Sequence, residues 1–202
     1  MAAEMRAVKL HDTRSGELLE LAPRDEGRVS IYACGPTVYS RIHVGNARPF
    51  VVFSLLKRFL AHEGYEVTLV VNITDVNDKI YEAAAAQRRP SAQLAEEMIA
   101  CYRADTDALG LGRPDHEPLA SETMPAIIAH IQALISSGHA YAADGDVYFS
   151  VRSDSAYGSL SHRRLEDMDQ GEALEGTERK RDPLDFALWK AHKPGEDTQW
   201  AS

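Results

Sequence analysis

The chain has 202 residues, 44% of them hydrophobic and 26% charged, with a formal net charge of −9. That length and apolar share suit one large domain, or a domain with an insertion, built on a real core. No apolar run approaches the roughly 20 residues of a membrane span, Met1 to Arg6 does not read as a signal peptide, and two cysteines, Cys34 and Cys101, give no disulfide framework and suit a reducing compartment. The acid excess argues mildly against a nucleic-acid binder, and no segment resembles a dedicated RNA-binding module.

In chain order, Val8 to Leu21 predicts an N-terminal strand or hairpin, and Val29 to Ala33 alternates like a buried strand. After a turn at Asn46, a helical stripe of Phe50, Val51, Val52, Phe53, Leu55, Leu56, Phe59 and Leu60 is wide enough to be mostly buried, and Gly64 sits where a C′ glycine ends a helix. Val67 to Val71 is an apolar, β-branched run that predicts a central parallel strand. Strand, helix, strand makes a βαβ unit, in which ligands sit outside the carboxyl ends of the strands, so Cys34 and Thr74 should face one crevice.

Asp78 to Ala86 predicts a helix closed by Arg88-Arg89-Pro90. Ser91 is a candidate N-cap for the next helix, with Leu94, Met98, Tyr102 and Leu109 near one face and Gly110 at its end. Gly112 to Pro118 predicts a loop. Thr123 is a candidate cap for a third helix carrying Ile127, Ile128, Ile131, Leu134 and Ile135 inside and ending at Gly138. Tyr141 to Phe149, with Asp144-Gly145 in its middle, predicts a β-hairpin. Ser153 to Thr177 is polar and acidic, which predicts an exposed, partly mobile segment. The block Arg179 to Lys190 ends in Phe186, Leu188 and Trp189 and is expected to repack on the main domain.

The chemistry concentrates in Ile31 to Asn46. A thiol, Cys34, directly follows a strand, and Gly35 beside it lets backbone approach a ligand. His43-Val44-Gly45-Asn46 falls at a helix start, where free N–H groups and the positive dipole end favour anions. Read from the residues alone, His43 suits a capping or packing role as well as a ligand-facing one, Cys34 suits an inert strand-end thiol, and Thr74 suits a turn residue satisfying local backbone. Cys101 lies within a helical pattern and fits core packing.

His43-Val44-Gly45-Asn46 resembles the "HIGH" signature of class I aminoacyl-tRNA synthetases in its HxGN form. With Cys34-Gly35-Pro36-Thr37-Val38-Tyr39 before it and Asn72 to Lys79 after it, the chain resembles the cysteinyl-tRNA synthetase family from about Val8 to its last residue, including Arg181 to Lys190. The resemblance implies an α/β fold, a Rossmann-like parallel sheet of which this is the N-terminal half, with an inserted α+β connective peptide. The implied division is 1–90 for the first half of the catalytic domain, 91–178 for the insertion and 179–202 for the return.

For function, the resemblance implies activation of L-cysteine with Mg-ATP to cysteinyl-adenylate and transfer to tRNA(Cys), in the cytoplasm, by a monomer with no membrane partner. His43 and Asn46 would be catalytic, and Thr37, His43, Gly45 and Asn46 would bind ATP, stabilising charge that grows on the phosphates. Cys34, Gly35 and Thr74 would bind cysteine. Cys34 would also be one ligand of a Zn2+ ion, whose preference for thiolate separates cysteine from serine or alanine; pocket shape alone separates such substrates only about 10- to 200-fold per methylene.

Tyr39 and Arg48 flank the site without a fixed role, and Asp75 and Asp78 could orient the loop or meet substrate charge. The family shows two acids where this chain has Asn77-Asp78, so position 77 does not need a charge. Asp185, Phe186 and Trp189 are expected to be structural, the acids from Asp167 to Glu178 a solvated surface, and Arg179-Lys180-Arg181 either a tRNA contact or a salt-bridge cluster.

The family's remaining zinc ligands, its "KMSKS" loop and its tRNA-reading helical domain lie beyond Ser202 in the implied pattern. The chain is therefore expected to be a fragment, inactive alone. Two other readings stand beside this one: a related ATP-dependent ligase that joins cysteine to an amino sugar, and a non-catalytic paralogue that binds nucleotide or a protein.

Overall fold

The computed structural model describes residues 6–168 and 179–202. In chain order its elements are β1 (Lys9–His11), β2 (Leu18–Glu20), β3 (Arg28–Ala33), α1 (Val44–His62), β4 (Glu66–Val71), α2 (Asp78–Ala86), α3 (Ser91–Ala108), α4 (Met124–Ser136), β5 (Ala140–Ala143), β6 (Asp146–Phe149) and β7 (Phe186–Trp189). The described residues divide into two compact units: the first gathers Leu21–Met124, Gly195–Ala201 and the chain up to Val8, and the second gathers Lys9–Glu20 and Pro125–Pro194.

The first unit is the βαβ unit that the apolar pattern predicts. β3 and β4 pair in parallel from Arg28 opposite Glu66 to Ala33 opposite Val71. β4 is flanked on its other edge as well: Val71 N–H donates to the His116 carbonyl (3.0 Å) and Ile73 N–H to the Pro118 carbonyl (2.9 Å), with parallel bridges from Val70 to His116 and from Ile73 to Leu119. The stretch predicted as a loop at Gly112 to Pro118 thus partly runs as an extended track along β4. Pro114 and Pro118 hide it from a strand reading, since proline is tolerated only where no ladder N–H is needed. β4 is central, as expected.

α1 begins at His43 and ends in a Schellman motif. Gly64 N–H donates to Ala61 (3.1 Å) and Tyr65 N–H to Leu60 (3.0 Å), with Gly64 at φ 98°. α3 and α4 end in the same pattern, at Gly110 and Gly138. The mostly buried apolar stripe expected on α1 is not what the structure shows. Ala47, Phe50, Ser54 and Leu60 are buried, whereas Val51, Val52, Leu55 and Phe59 are exposed. One face of a helix is all that so narrow a sheet can cover.

α2 and α3 pack together, and Ile80, Ala84, Leu94, Ala95, Ile99 and Tyr102 join the same core as Leu69 and Val71. α3 thus sits within the first unit, although the expected domain division placed it in an insertion starting at residue 91. Ser91 is not the N-cap of α3 either. The cap is Pro90, and Ser91 N–H donates to Asp197 Oδ2 (2.7 Å) while its hydroxyl bonds the same carboxylate. Asp197 satisfies the helix start from 106 residues away, because the Pro90 ring has no capping side chain to offer.

In the second unit, β1 and β2 form the N-terminal hairpin. β5 and β6 form the Asp-Gly hairpin, with Asp144 at φ 50° and Gly145 at φ 85°, as a type I′ turn requires. β7 pairs antiparallel with β6. The block Arg179 to Lys190 was expected to return to the main domain; it completes this sheet instead, and the chain rejoins the first unit only at Gly195–Ala201. Thr123 caps nothing, since its hydroxyl donates to the Leu119 and Ala120 carbonyls within a short 3-10 turn before α4. Most residues from Asp154 to Met168 are exposed turns, and residues 169–178 of the segment expected to be mobile lie outside the described residues.

Two acids of the second unit, Asp185 and Asp146, are buried. Asp185 is 2% exposed. It accepts from Val151 N–H (2.9 Å), the Tyr141 hydroxyl (2.7 Å) and Asp182 N–H (3.2 Å). Asp146 accepts from Ala191 N–H (2.8 Å), the Tyr148 hydroxyl (2.9 Å) and Arg179 (3.2 Å). Arg179-Lys180-Arg181 resolves partly into the packing cluster: Arg179 pairs with Asp146, and the Arg181 guanidinium lies 4.1 Å over the Tyr141 ring.

Candidate functional site

Past the carboxyl ends of β3 and β4 the two chains stay paired through a break. Thr74 N–H donates to Pro36 (3.0 Å) and Val38 N–H to Thr74 (3.1 Å). Gly35 sits at the break, where a Cβ would lie 1.6 Å from the Asn72 carbonyl oxygen, so only glycine fits. The Asn72 side chain bridges both turns, accepting from Gly35 N–H (3.2 Å) and reaching the Thr74 hydroxyl (3.5 Å). In the sequence Asn72 is merely the first residue of the Asn72 to Lys79 block, yet it bonds both Gly35 and Thr74.

His43 is the N-cap of α1 in a reciprocal capping box. Gly45 N–H donates to His43 Nδ1 (3.0 Å), and His43 N–H donates to the Asn46 side-chain oxygen (3.2 Å). Because Nδ1 accepts, the ring proton sits on Nε2, which is left to donate to a ligand. The Asn46 carbonyl is likewise committed, leaving its NH2 as a donor. Of the two roles left open in the sequence, capping is the one that these hydrogen bonds show.

These turns enclose a cleft of about 350 Å³. Cys34, Gly35, Thr37, Gly45 and Asn46 line it, together with Tyr39, Arg41 and Lys79. His43 and Thr74 lie in the same turns but are not among its lining residues. Arg48 is exposed on the first turn of α1 and does not line it either. No lining residue is acidic, in a chain of net charge −9. Arg41 and Lys79 are the cations that the sequence reading passed over. Arg41 is held by Asp105 (2.5 Å), whose hydrogen bond raises the guanidinium further above its usual pKa. Lys79 Nζ sits 5.6 Å from the Tyr39 ring centroid, a position set by Asn77 as N-cap of α2, which accepts from Lys79 N–H (3.1 Å). That cap explains the uncharged residue at position 77. The signal for Lys79 was available: it stands in the first turn of a helix that begins beyond a strand end.

Asp75 is occupied structurally, accepting from Ser121 N–H (2.9 Å) and from the Ser121 hydroxyl. Cys101 is half-buried on α3. Cys34 is exposed at the cleft. For a zinc ion the donor set does not fit: among the described residues no group of three or more His, Cys, Asp or Glu side chains could hold a metal. Cys34 offers one sulfur, and among the described residues nothing else joins it as a metal ligand. Among the described residues no helix is long and apolar enough to cross a membrane.

Comparison with known proteins shows the family. The model of the family described as tRNA synthetases class I (C) catalytic domain matches residues 20–202. The curated "Cysteine--tRNA ligase" of Pelotomaculum thermopropionicum is 48% identical over 196 residues, covering 96% of this chain and 40% of that protein. The same-named protein of Anaeromyxobacter sp. is 50% identical over 196 residues, with the same coverage of each. The chain thus spans about 40% of the length of these relatives. Among solved structures, the Agrobacterium radiobacter K84 LeuRS–tRNA–LeuAMS ternary complex matches with a TM-score of 0.52 at 20% identity, over 65% of this chain and 18% of that one. At that identity the likeness concerns the fold alone.

Proposed function

The chain belongs to the family of class I tRNA synthetase (C) catalytic domains, and from that premise we propose that it supplies the nucleotide- and cysteine-binding half of a cysteine–tRNA ligase. The whole protein activates L-cysteine with Mg-ATP and passes the cysteinyl group to tRNA(Cys), working as a cytoplasmic monomer. The names of relatives near half-identical over nearly all of the chain support tRNA as the acceptor rather than an amino sugar. The Pro125–Pro194 part of the second unit belongs to the connective-peptide insertion in this reading.

The observation that carries the proposal is the capping box at the start of α1, opening on a cleft with no acidic wall. In the first step the cysteine carboxylate attacks the α-phosphate of ATP and pyrophosphate leaves. Negative charge builds on non-bridging and leaving oxygens. His43 Nε2–H, the Asn46 amide and the first N–H groups of α1 are donors fixed before that charge appears, which is where such donors lower a barrier most. Gly45 leaves room for the capping ring, since a Cβ there would lie 2.8 Å from His43. Thr37 sits on the ATP side. Gly35, Cys34 and Thr74 hold cysteine, with Asn72 fixing the turn.

The test is cysteine-dependent ATP–pyrophosphate exchange by the full-length gene product. His43→Ala is expected to lower the exchange rate about 100-fold with the fold intact. No exchange from the unmodified protein, or exchange driven equally by serine, contradicts the proposal.

A further inference from the structure

The cleft at the start of α1 is lined by two cations, and their surroundings differ. Arg41 is already met by a carboxylate, with Asp105 at 2.5 Å. Lys79 is not: among the described residues no salt bridge ties its ammonium. Its Nζ lies instead 5.6 Å from the centroid of the Tyr39 ring, and Tyr39 lines the cleft as well. A ring face attracts an ammonium through its quadrupole and leaves the positive charge unneutralised. The root of the side chain is fixed too, since Lys79 N–H donates to the Asn77 side chain (3.1 Å) in the cap of α2.

With ATP in this cleft, its α-phosphate meets the donors at the start of α1, where Gly45 and Asn46 line the wall. Those donors are then occupied, and the β- and γ-phosphates, which carry most of the charge of ATP, still need a partner. Among the lining residues Lys79 is the one whose positive charge no carboxylate has taken. No acidic lining residue competes for it.

We propose that Lys79 is a further catalytic residue, binding the β- and γ-phosphates and stabilising pyrophosphate as it departs, and that Tyr39 is a positioning residue that holds the ammonium in place. This role presupposes the cleft as the nucleotide site. In the step, a carboxylate oxygen of cysteine bonds the α-phosphorus. The bond from that phosphorus to the oxygen bridging to the β-phosphorus breaks, and its electron pair leaves on pyrophosphate. The ammonium faces the group on which that charge grows, so it is worth more in the transition state than in the ground state. The start of α1 and Lys79 thus divide the work, one serving the α-phosphate and the other the leaving group.

The experiment measures cysteine-dependent ATP–pyrophosphate exchange by the full-length gene product, with KM determined separately for cysteine and for pyrophosphate. Lys79→Met is expected to lower kcat about 30-fold, less than His43→Ala because an exposed ammonium is screened by solvent and salt. It should raise KM for pyrophosphate about 10-fold and leave KM for cysteine and the thermal midpoint unchanged. Lys79→Arg, which keeps the charge, should recover part of the rate. Tyr39→Leu should lower kcat about 3-fold, Tyr39→Phe should lose less because it keeps the ring, and Tyr39→Leu should add nothing once Lys79 is Met. An unchanged kcat and pyrophosphate KM in Lys79→Met, a raised cysteine KM in their place, or full additivity of the two substitutions each overturns the proposal. No exchange by the unmodified protein overturns the nucleotide reading of the cleft and this role with it, whereas equal exchange by the unmodified protein and Lys79→Met overturns the role of Lys79 alone.

Discussion

Asp185 and Cys34 both belong to sequence blocks that stand out at first reading, and the structure gives them opposite surroundings. Around Asp185 every bond points inward. Two backbone N–H groups and a phenol converge on a carboxylate that is 2% exposed. Around Cys34 the backbone is tied on one side, through Gly35 and Asn72, and the thiol faces an open cleft. A satisfied, buried polar group holds a fold. A polar group fixed from behind and open in front is available to a ligand. Burial separates the clamped acid from the cleft thiol here, where the prominence of the motifs does not.

That contrast can be broken hardest at Asp185. Asp185→Ala strands two backbone N–H groups and the Tyr141 hydroxyl, and is expected to cost about 3–5 kcal/mol in urea unfolding while leaving nucleotide affinity of the surviving folded protein unchanged; a cost below about 1 kcal/mol would show that the carboxylate is not the clamp. Gly35→Ala comes next. It forces β3 away from Asn72 and should cost about 3 kcal/mol, with loss of cleft binding in the same sample, since this glycine both packs on Asn72 and lines the cleft.

His43→Ala sharpens the comparison from the other side. Losing the cap is expected to cost only about 1 kcal/mol of stability, so a large effect on the reaction with a small one on unfolding identifies a site residue, and the reverse pattern would make His43 structural.

Acid tests the second unit again. Burial alone would raise the Asp146 pKa, but the Ala191 N–H, the Tyr148 hydroxyl and Arg179 outweigh it and hold the carboxylate below its usual 3.8. Its stabilising contribution is therefore complete above the unfolded value and is lost as pH falls below about 4 through the folded one. Asp146→Asn should flatten the stability–pH curve in that range; an unchanged acid limb would remove Asp146 from the account.

The smallest effect expected is at Arg88, which ends α2 at φ 53° in the conformation glycine favours. Arg88→Gly is predicted to stabilise the chain by about 1 kcal/mol, read as a raised thermal midpoint.

Local chemistry made much of this legible in the sequence. Gly64, Gly110 and Gly138 marked helix ends because a left-handed C′ residue is a local requirement, Asp144-Gly145 marked a hairpin for the same reason, and His43 to Asn46 marked a helix start. Contacts between distant residues were not legible. Ser91 carries the signature of an N-cap, yet its partner Asp197 is 106 residues on. The Phe186–Trp189 strand could have joined either unit on apolarity alone, and its pairing with β6 is fixed by Asp185 and Asp146 reaching across the second unit. Half the α1 stripe proved exposed because periodicity reports which residues are apolar and not how wide a sheet lies beneath them. In the cleft, Gly35 and Asn46 were legible from their motifs, whereas Arg41 and Lys79 needed the loop and α2 to be placed in space.

The most direct test of the central claim is a titration of Mg-ATP into this chain, followed by backbone amide NMR. Saturable shifts confined to Cys34 through Asn46 and to Lys79, with Val151 and Asp182 around the Asp185 clamp unmoved, are the predicted result. Shifts centred on the second unit, or no saturable shift in the cleft, would contradict the assignment of the α1 start as the nucleotide site.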